Sequence, residues 1–402
     1  MQSQLEVPKK QDKQQELSVG QVIRNNMRQY TMIITLIVIM LFFQLLTDGL
    51  LLKPLNITNL ILQNAHILVL AIGMVLVIIT GHIDLSVGSV AAFVGAVSGI
   101  MIINHNVPTF LAIIISLILG AAIGAWQGFW VAYVKIPAFI VTLAGMLIFR
   151  GLTMVALEGK SIAPYPDAFQ SMSAGFIPDW LGGGSLHVTT MVIGLVLSLL
   201  YVFNEWKARN NQISYGFDLP PGGLFIAKLA AIFIVLNLFA YVLATYEGIP
   251  NILVILGVLV LLYSFVTNQT TAGRHIYAIG GNEKAAQLSG IKTKKVTFWV
   301  FVNMGVLSAL SGLLFAARLN AATPKAGNLF ELDAIAACFI GGASAYGGIG
   351  TVAGAIIGGL VMGIMNNGMS LLGVGIDWQQ GIKGFVLLAA VALDIYNKNK
   401  AA

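Results

Sequence analysis

Charge is scarce in this chain. Asp, Glu, Lys and Arg make up 9% of its 402 residues, where an average soluble domain carries about 25%. Hydrophobic residues make up 57%. A soluble fold could neither bury that much apolar surface nor stay dispersed with so few charges. An all-α, polytopic integral membrane protein is expected, with the lipid bilayer as its solvent. Cysteine is nearly absent. The single one, Cys338, excludes an intrachain disulfide and a multi-cysteine metal site. His66 and His82 have no second histidine or cysteine at ligand spacing, so no metal site is expected. Catalytic patterns are missing as well: there is no Ser/His/Asp grouping, no HExxH and no paired carboxylates within one apolar run. No catalytic residue is assigned, and the chain is not expected to be an enzyme. The net charge of +6 comes without a basic patch interleaved with aromatics, so nucleic acid is not an expected partner.

Two short motifs imitate nucleotide sites and fail. Gly159-Lys160-Ser161 would need a glycine five places before Gly159, where Met154 stands. Gly348-Ile349-Gly350-Thr351 follows no strand pattern and has no acidic residue at the right distance. The chain is therefore expected to bind no nucleotide or other cofactor of its own.

What the chain does have is apolar runs. They fall near 31–52, 60–80, 85–103, 109–134, 137–157, 188–204, 224–246, 250–267, 296–319, 333–345, 351–372 and 381–396. That is about twelve, most of them near the length that crosses hydrocarbon. Residues 1–30 read as a polar N-terminal tail before an uncleaved first span. With that tail inside, the lysine-rich connections fall inside and the acidic loop 158–187 falls outside, as the positive-inside rule requires. Both termini are then cytoplasmic, with a short C-terminal tail at 397–402 and a transmembrane domain at 31–396. Residues 188–246 read as an inserted helical pair, joined by a polar bridge that ends in Pro220-Pro221-Gly222-Gly223. The run 333–358 has a Gly-rich centre, which can be a cytoplasmic turn or a broken, re-entrant helix.

The stretch 274–291, RHIYAIGGNEKAAQLSGI, is the longest polar segment between apolar runs in the second half. Gly280-Gly281 breaks an arriving helix. Asn282 can cap a new one, with Glu283 in its first turn, and Ser289-Gly290 ends it. A helix of about two turns is too short to be stable alone in water and needs something to dock against. On the threading above it lies in the cytoplasm.

Polar groups inside apolar runs are functional candidates, because hydrocarbon does not tolerate them unpaired. Arg150, Asn303, Arg318, Asn366 and Asn367 qualify. Asp84 and Ser86 stand just before the third run, as helix caps or as gating groups, and Asp333 stands likewise before the tenth. Amides and an arginine suit a path for a polyhydroxylated solute.

The pattern Ala285-Ala286-x-x-x-Gly290 resembles the EAA loop of ATP-binding-cassette importer permeases. Lys284 stands where that motif has its glutamate, which here is one place earlier, at Glu283. Further stretches extend the likeness: Ile83 to Ser89, Phe139 to Met146, Gly273 to Ile291, Glu331 to Ala337 and Asn366 to Leu372. Together they resemble carbohydrate importer permeases of the ribose/xylose type, nearer to the D-xylose members because of the extra pair 188–246. The resemblance implies a subunit in a bacterial inner (cytoplasmic) membrane that forms the path for a monosaccharide. It implies a second permease copy, an extracytoplasmic sugar-binding protein, and a cytoplasmic ATPase that holds ATP and Mg. It assigns Asn282, Glu283, Lys284, Ala285, Ala286 and Gly290 to the helix that couples to that ATPase. The alternative is an ion-coupled secondary sugar transporter, which would need a buried carboxylate or histidine relay. By sequence, the carboxylates sit at the ends of the apolar runs.

Overall fold

The structure, a computed structural model, describes residues 20–21, 27–184, 186–217 and 219–401. The N-terminal tail expected at 1–30 lies largely outside the described residues, and so do the side chains of 397–402. Among the described residues every named element is a helix. In chain order they are α1 (Met27–Leu46), α2 (Pro54–Ile79), α3 (Val87–Gly99), α4 (Thr109–Phe129), α5 (Ala138–Ala156), α6 (Asp167–Ala174), α7 (Val188–Ser214), α8 (Gly222–Ala244), α9 (Asn251–Gln269), α10 (Thr271–Gly281), α11 (Glu283–Leu288), α12 (Thr293–Leu319), α13 (Phe330–Ile340), α14 (Val352–Leu371) and α15 (Ile376–Ala401). Wider π turns prolong α3 through Asn104 and α4 through Val134. Pro108, Pro137, Pro166, Pro221 and Pro250 each stand immediately before a helix. There a fixed φ and a missing N–H cost the helix nothing.

Nine of these helical stretches are long and apolar enough to cross a membrane. The chain is thus an all-α, multi-pass membrane protein. Three of the twelve expected runs fall outside the nine. α1 contributes only a shorter apolar stretch, Tyr30–Leu46. α15 is long, but Asp377, Gln379, Gln380 and Lys383 dilute its apolar face. α13 has 11 residues, about 17 Å at 1.5 Å per residue, too short to cross a hydrocarbon core of about 30 Å.

The described chain divides into two compact units. The smaller takes in residues 179–245 and the described part of 1–30. Its core is the pair α7 and α8. Gly194 lets Ala240 approach, Asn237 donates to Ser198 at 2.9 Å, and Lys228 meets Glu205 at 2.9 Å. The polar stretch from Asn204, expected as a bridge, is helical to Ser214. Glu205 pairs with Lys228 on the neighbouring helix, and Arg209 lies over the Phe225 ring at 4.6 Å.

The larger unit holds 31–178 and 246–402. α12 is its axis, packed against α2, α3 and α4. Small residues set that spacing. A Cβ on Gly305 would come within 2.2 Å of the Gly120 carbonyl oxygen, so the two helices touch backbone to backbone. α2 is the most enclosed of the spans, with 89% of its apolar window buried against 17% for α9. α2 therefore belongs to the interior, and α9 turns most of its surface outward.

Two helices begin at depth. The His66 ring, midway along α2, lies 4.5 Å from the Phe330 ring at the start of α13. At its other end α13 leads to Gly348, whose N–H donates to the carbonyl of Ile79, the last residue of α2. α13 thus runs beside only the second half of α2. α3 begins at the same level: a Cβ on Gly88 would lie 2.3 Å from the Gly327 carbonyl oxygen and 2.5 Å from a Glu331 oxygen. The segments 80–86 and 320–329 enter from opposite ends to meet there. Such non-helical backbone is tolerated at depth only where protein surrounds it.

Candidate functional site

The stretch 274–291 carries more helix than expected. α10 runs from Thr271 through the glycine pair to Gly281, and only then does the chain turn. Gly280 is helical because it is a contact, not a break. A Cβ there would lie 1.7 Å from the Ile79 carbonyl oxygen and 2.4 Å from the Gly348 nitrogen. Tyr277 adds a hydrogen bond from its hydroxyl to the Gly350 carbonyl at 2.7 Å. Asn282 then caps α11, its side-chain oxygen accepting from the Ala285 N–H at 3.0 Å. Gly290 closes it with φ +85, a conformation costly for a side chain. Ala286 faces inward at 5% exposure, and Leu288 projects outward at 90%. Lys284 and Ala285 are exposed.

Glu283 meets Lys135 at 2.8 Å. The hydrogen bond from Lys135 is the main cause that holds its carboxyl below the ordinary glutamate value. A depressed value stabilises the fold above the ordinary pKa, and that stability is lost as pH falls through the lowered one. Both side chains are about half exposed, so the pair is worth no more than about 1 kcal/mol. Glu283→Gln should therefore shift the thermal unfolding midpoint in detergent only slightly at neutral pH, and should remove the pair's share of the acid sensitivity.

The eight other candidates do not form one site. Asp84 and Ser86 are both buried, but not as simple caps. Ser86 makes no side-chain bond to its helix. Its N–H and hydroxyl both donate to the Asp84 carboxylate, at 2.8 and 2.6 Å, and Gln127 on α4 donates to Ser86 at 2.7 Å. Gln127 was not singled out by sequence; a lone amide in the apolar run of α4 was the available signal. Arg150 donates to the carbonyls of Ala326 and Gly327, at 2.7 and 3.1 Å, and so pins the segment that enters at depth. Glu331 lies beside these groups, 6% exposed, with one oxygen lacking a partner. Asp84 and Asp333, read as lying at the ends of runs, are thus at mid-depth, because α3 and α13 start there.

Asp333 forms an ion pair with Lys383 on α15 at 2.9 Å. Lys383 was not foreseen, although it is the only charge in its stretch of α15. Asn366 lines a cavity with both of them. Its neighbour Asn367 points elsewhere and exchanges two hydrogen bonds with Asn56, at 2.8 and 3.1 Å. Asn303 accepts from the Tyr263 hydroxyl and lines a separate cavity of about 790 Å³ with His275, Lys295 and Trp299. Arg318 lies partly buried near the end of α12. Among the described residues no group of three or more His, Cys, Asp or Glu could hold a metal ion.

The permease family described as "Branched-chain amino acid transport system / permease component" matches residues 56–179 and 168–391. The chain belongs to this family. Relatives follow the match along nearly the whole length. The chain is 40% identical over 376 residues to the xylose transport system permease protein XylH of Escherichia coli K12, covering 94% of each chain. It is 42% identical over 378 residues to XylH of Haemophilus influenzae, covering 93% of this chain and 98% of that one. It is 36% identical over 339 residues to the ribose import permease protein RbsC of Escherichia coli K12, covering 84% and 85%. No solved structure matches. The family's membrane character agrees with the helices described above.

Proposed function

We propose that this chain is the membrane permease subunit of an ATP-driven importer in a bacterial inner membrane, with D-xylose as its sugar. The observation that carries the sugar is the extent of the likeness: the two xylose permeases match over 94% and 93% of the chain, and the ribose permease over 84%. Two copies form the path. A binding protein delivers sugar from outside, and a separate ATPase binds ATP and Mg on the cytoplasmic side, where both termini also lie. α11 is the coupling helix. Its support is local: the Asn282 cap, the Gly290 turn, and a leucine that the described residues leave 90% exposed. The clamp at Gly280 joins α10, which leads directly into that helix, to the end of α2 and to the turn before α14. A push on α11 therefore reaches the elements that hold Asp333 and Asn366.

One observation favours a second reading, an ion-coupled transporter: Asp84 and Glu331 are buried at mid-depth. Reconstituted vesicles separate the two. With ATPase and binding protein present, uptake of labelled D-xylose should require ATP and exceed that of other pentoses and hexoses. Uptake driven by a proton gradient, with no ATPase in the vesicle, would overturn the importer reading.

A further inference from the structure

We infer that one subunit alone holds a subsite for a single neutral monosaccharide, in the cavity that Asp333 and Asn366 line between α2, α13, α14 and α15. This rests on the transport reading and names where the sugar pauses. The cavity measures about 270 Å³. That suits one monosaccharide and is small for a disaccharide.

Its chemistry is that of an uncharged, hydroxyl-rich guest. Gln63, Asn64, Asn328, Asn366, Gln379 and Gln380 bring six carboxamide residues to the walls. Each amide both donates and accepts, as each sugar hydroxyl does. Two polar atoms there have no partner: Nδ1 of His66, a residue 6% exposed, and Oδ1 of Asn366. An unsatisfied buried polar atom costs about 1–3 kcal/mol; both atoms are covered by their neighbours, so a guest hydroxyl relieves that cost only when those side chains turn toward the cavity. The Phe330 ring adds an apolar face for the C–H side of a sugar ring.

Asp333 and Lys383 neutralise each other within the wall, so the cavity favours neither anion nor cation. The same pair also borders a neighbouring cavity of about 260 Å³ whose other lining includes Leu332, Ala336, Met362 and Leu387. A polar solute that reaches the pair from the amide side meets apolar walls beyond it, and stops. Leu329, which lines both cavities, holds φ +63. A left-handed leucine costs about 1–2 kcal/mol, and such strain gathers at ligand clamps.

Cysteine protection in the full chain, in nanodiscs, tests this. The native Cys338 is fully buried and gives no background. Asn366→Cys reports from within the cavity, Gln380→Cys from its more exposed wall, and Leu288→Cys from α11 as a control. A hydrophilic thiosulfonate should label all three. D-xylose should slow labelling several-fold at positions 366 and 380 and leave 288 unchanged, whereas maltose and D-glucuronate should protect neither. The subsite is overturned if no neutral monosaccharide protects 366 and 380, if protection is equal at 288, if maltose or D-glucuronate protects as well, or if neither cavity position can be labelled. Should ATP-driven D-xylose uptake persist without protection, the subsite falls and the transport reading stands. Should D-ribose protect where D-xylose does not, the subsite stands and the choice of xylose falls.

Discussion

Leu288→Asp should weaken association with the ATPase by roughly thirtyfold, the equivalent of about 2 kcal/mol at an interface anchor. Binding-protein-stimulated ATP hydrolysis and sugar uptake should fall with it. The fold should not suffer. Leu288 is 90% exposed, and substitutions at such surface positions usually change stability by no more than about 0.5 kcal/mol. A leucine this exposed in a helix of six residues adds little to the packing of the described residues. Thermal unfolding of the isolated permease, measured beside ATPase pull-down and vesicle uptake, separates the two effects. Unchanged uptake with an unchanged unfolding midpoint would remove α11 from the coupling path.

Gly280→Val should do the opposite, costing about 3 kcal/mol or more, the range of severe overpacking. The added Cβ would sit 1.7 Å from the carbonyl oxygen of Ile79, and backbone on both sides leaves nothing to rotate away. Gly281→Val, one residue on, has open space around it and should change stability by less than about 1 kcal/mol. Folded yield and unfolding midpoint of the two variants, compared in one detergent, give the answer. Equal tolerance at 280 and 281 would mean that α10 is not clamped to α2, and that a push on α11 has no rigid route inward.

Part of this was legible from residues alone. The Asn282 cap and the Gly290 stop depend on residues within three or four places of each other, and local rules govern them. The helical character of Thr271 to Gly281 was not, because Gly280-Gly281 reads as a breaker until the backbone that needs its missing side chain is in place. Arg150 was visible as an odd charge in an apolar run, but its partners lie 176 and 177 residues away. Asp333 and Lys383 are 50 residues apart, and only Asp333 drew notice. Asn366 and Asn367 are adjacent in sequence and opposite in role, since neighbours on a helix face different directions.

By itself the sequence determined the solvent of this protein and the positions of most of its helices, because apolar content and run length answer to the bilayer rather than to any neighbour. It also determined the local shape of α11. The tertiary structure decided at what depth α3 and α13 begin, which polar groups share a cavity, and which glycines are contacts. Those outcomes depend on backbones brought together across hundreds of residues, where a missing Cβ or an unpaired nitrogen acquires meaning only from what lies opposite it.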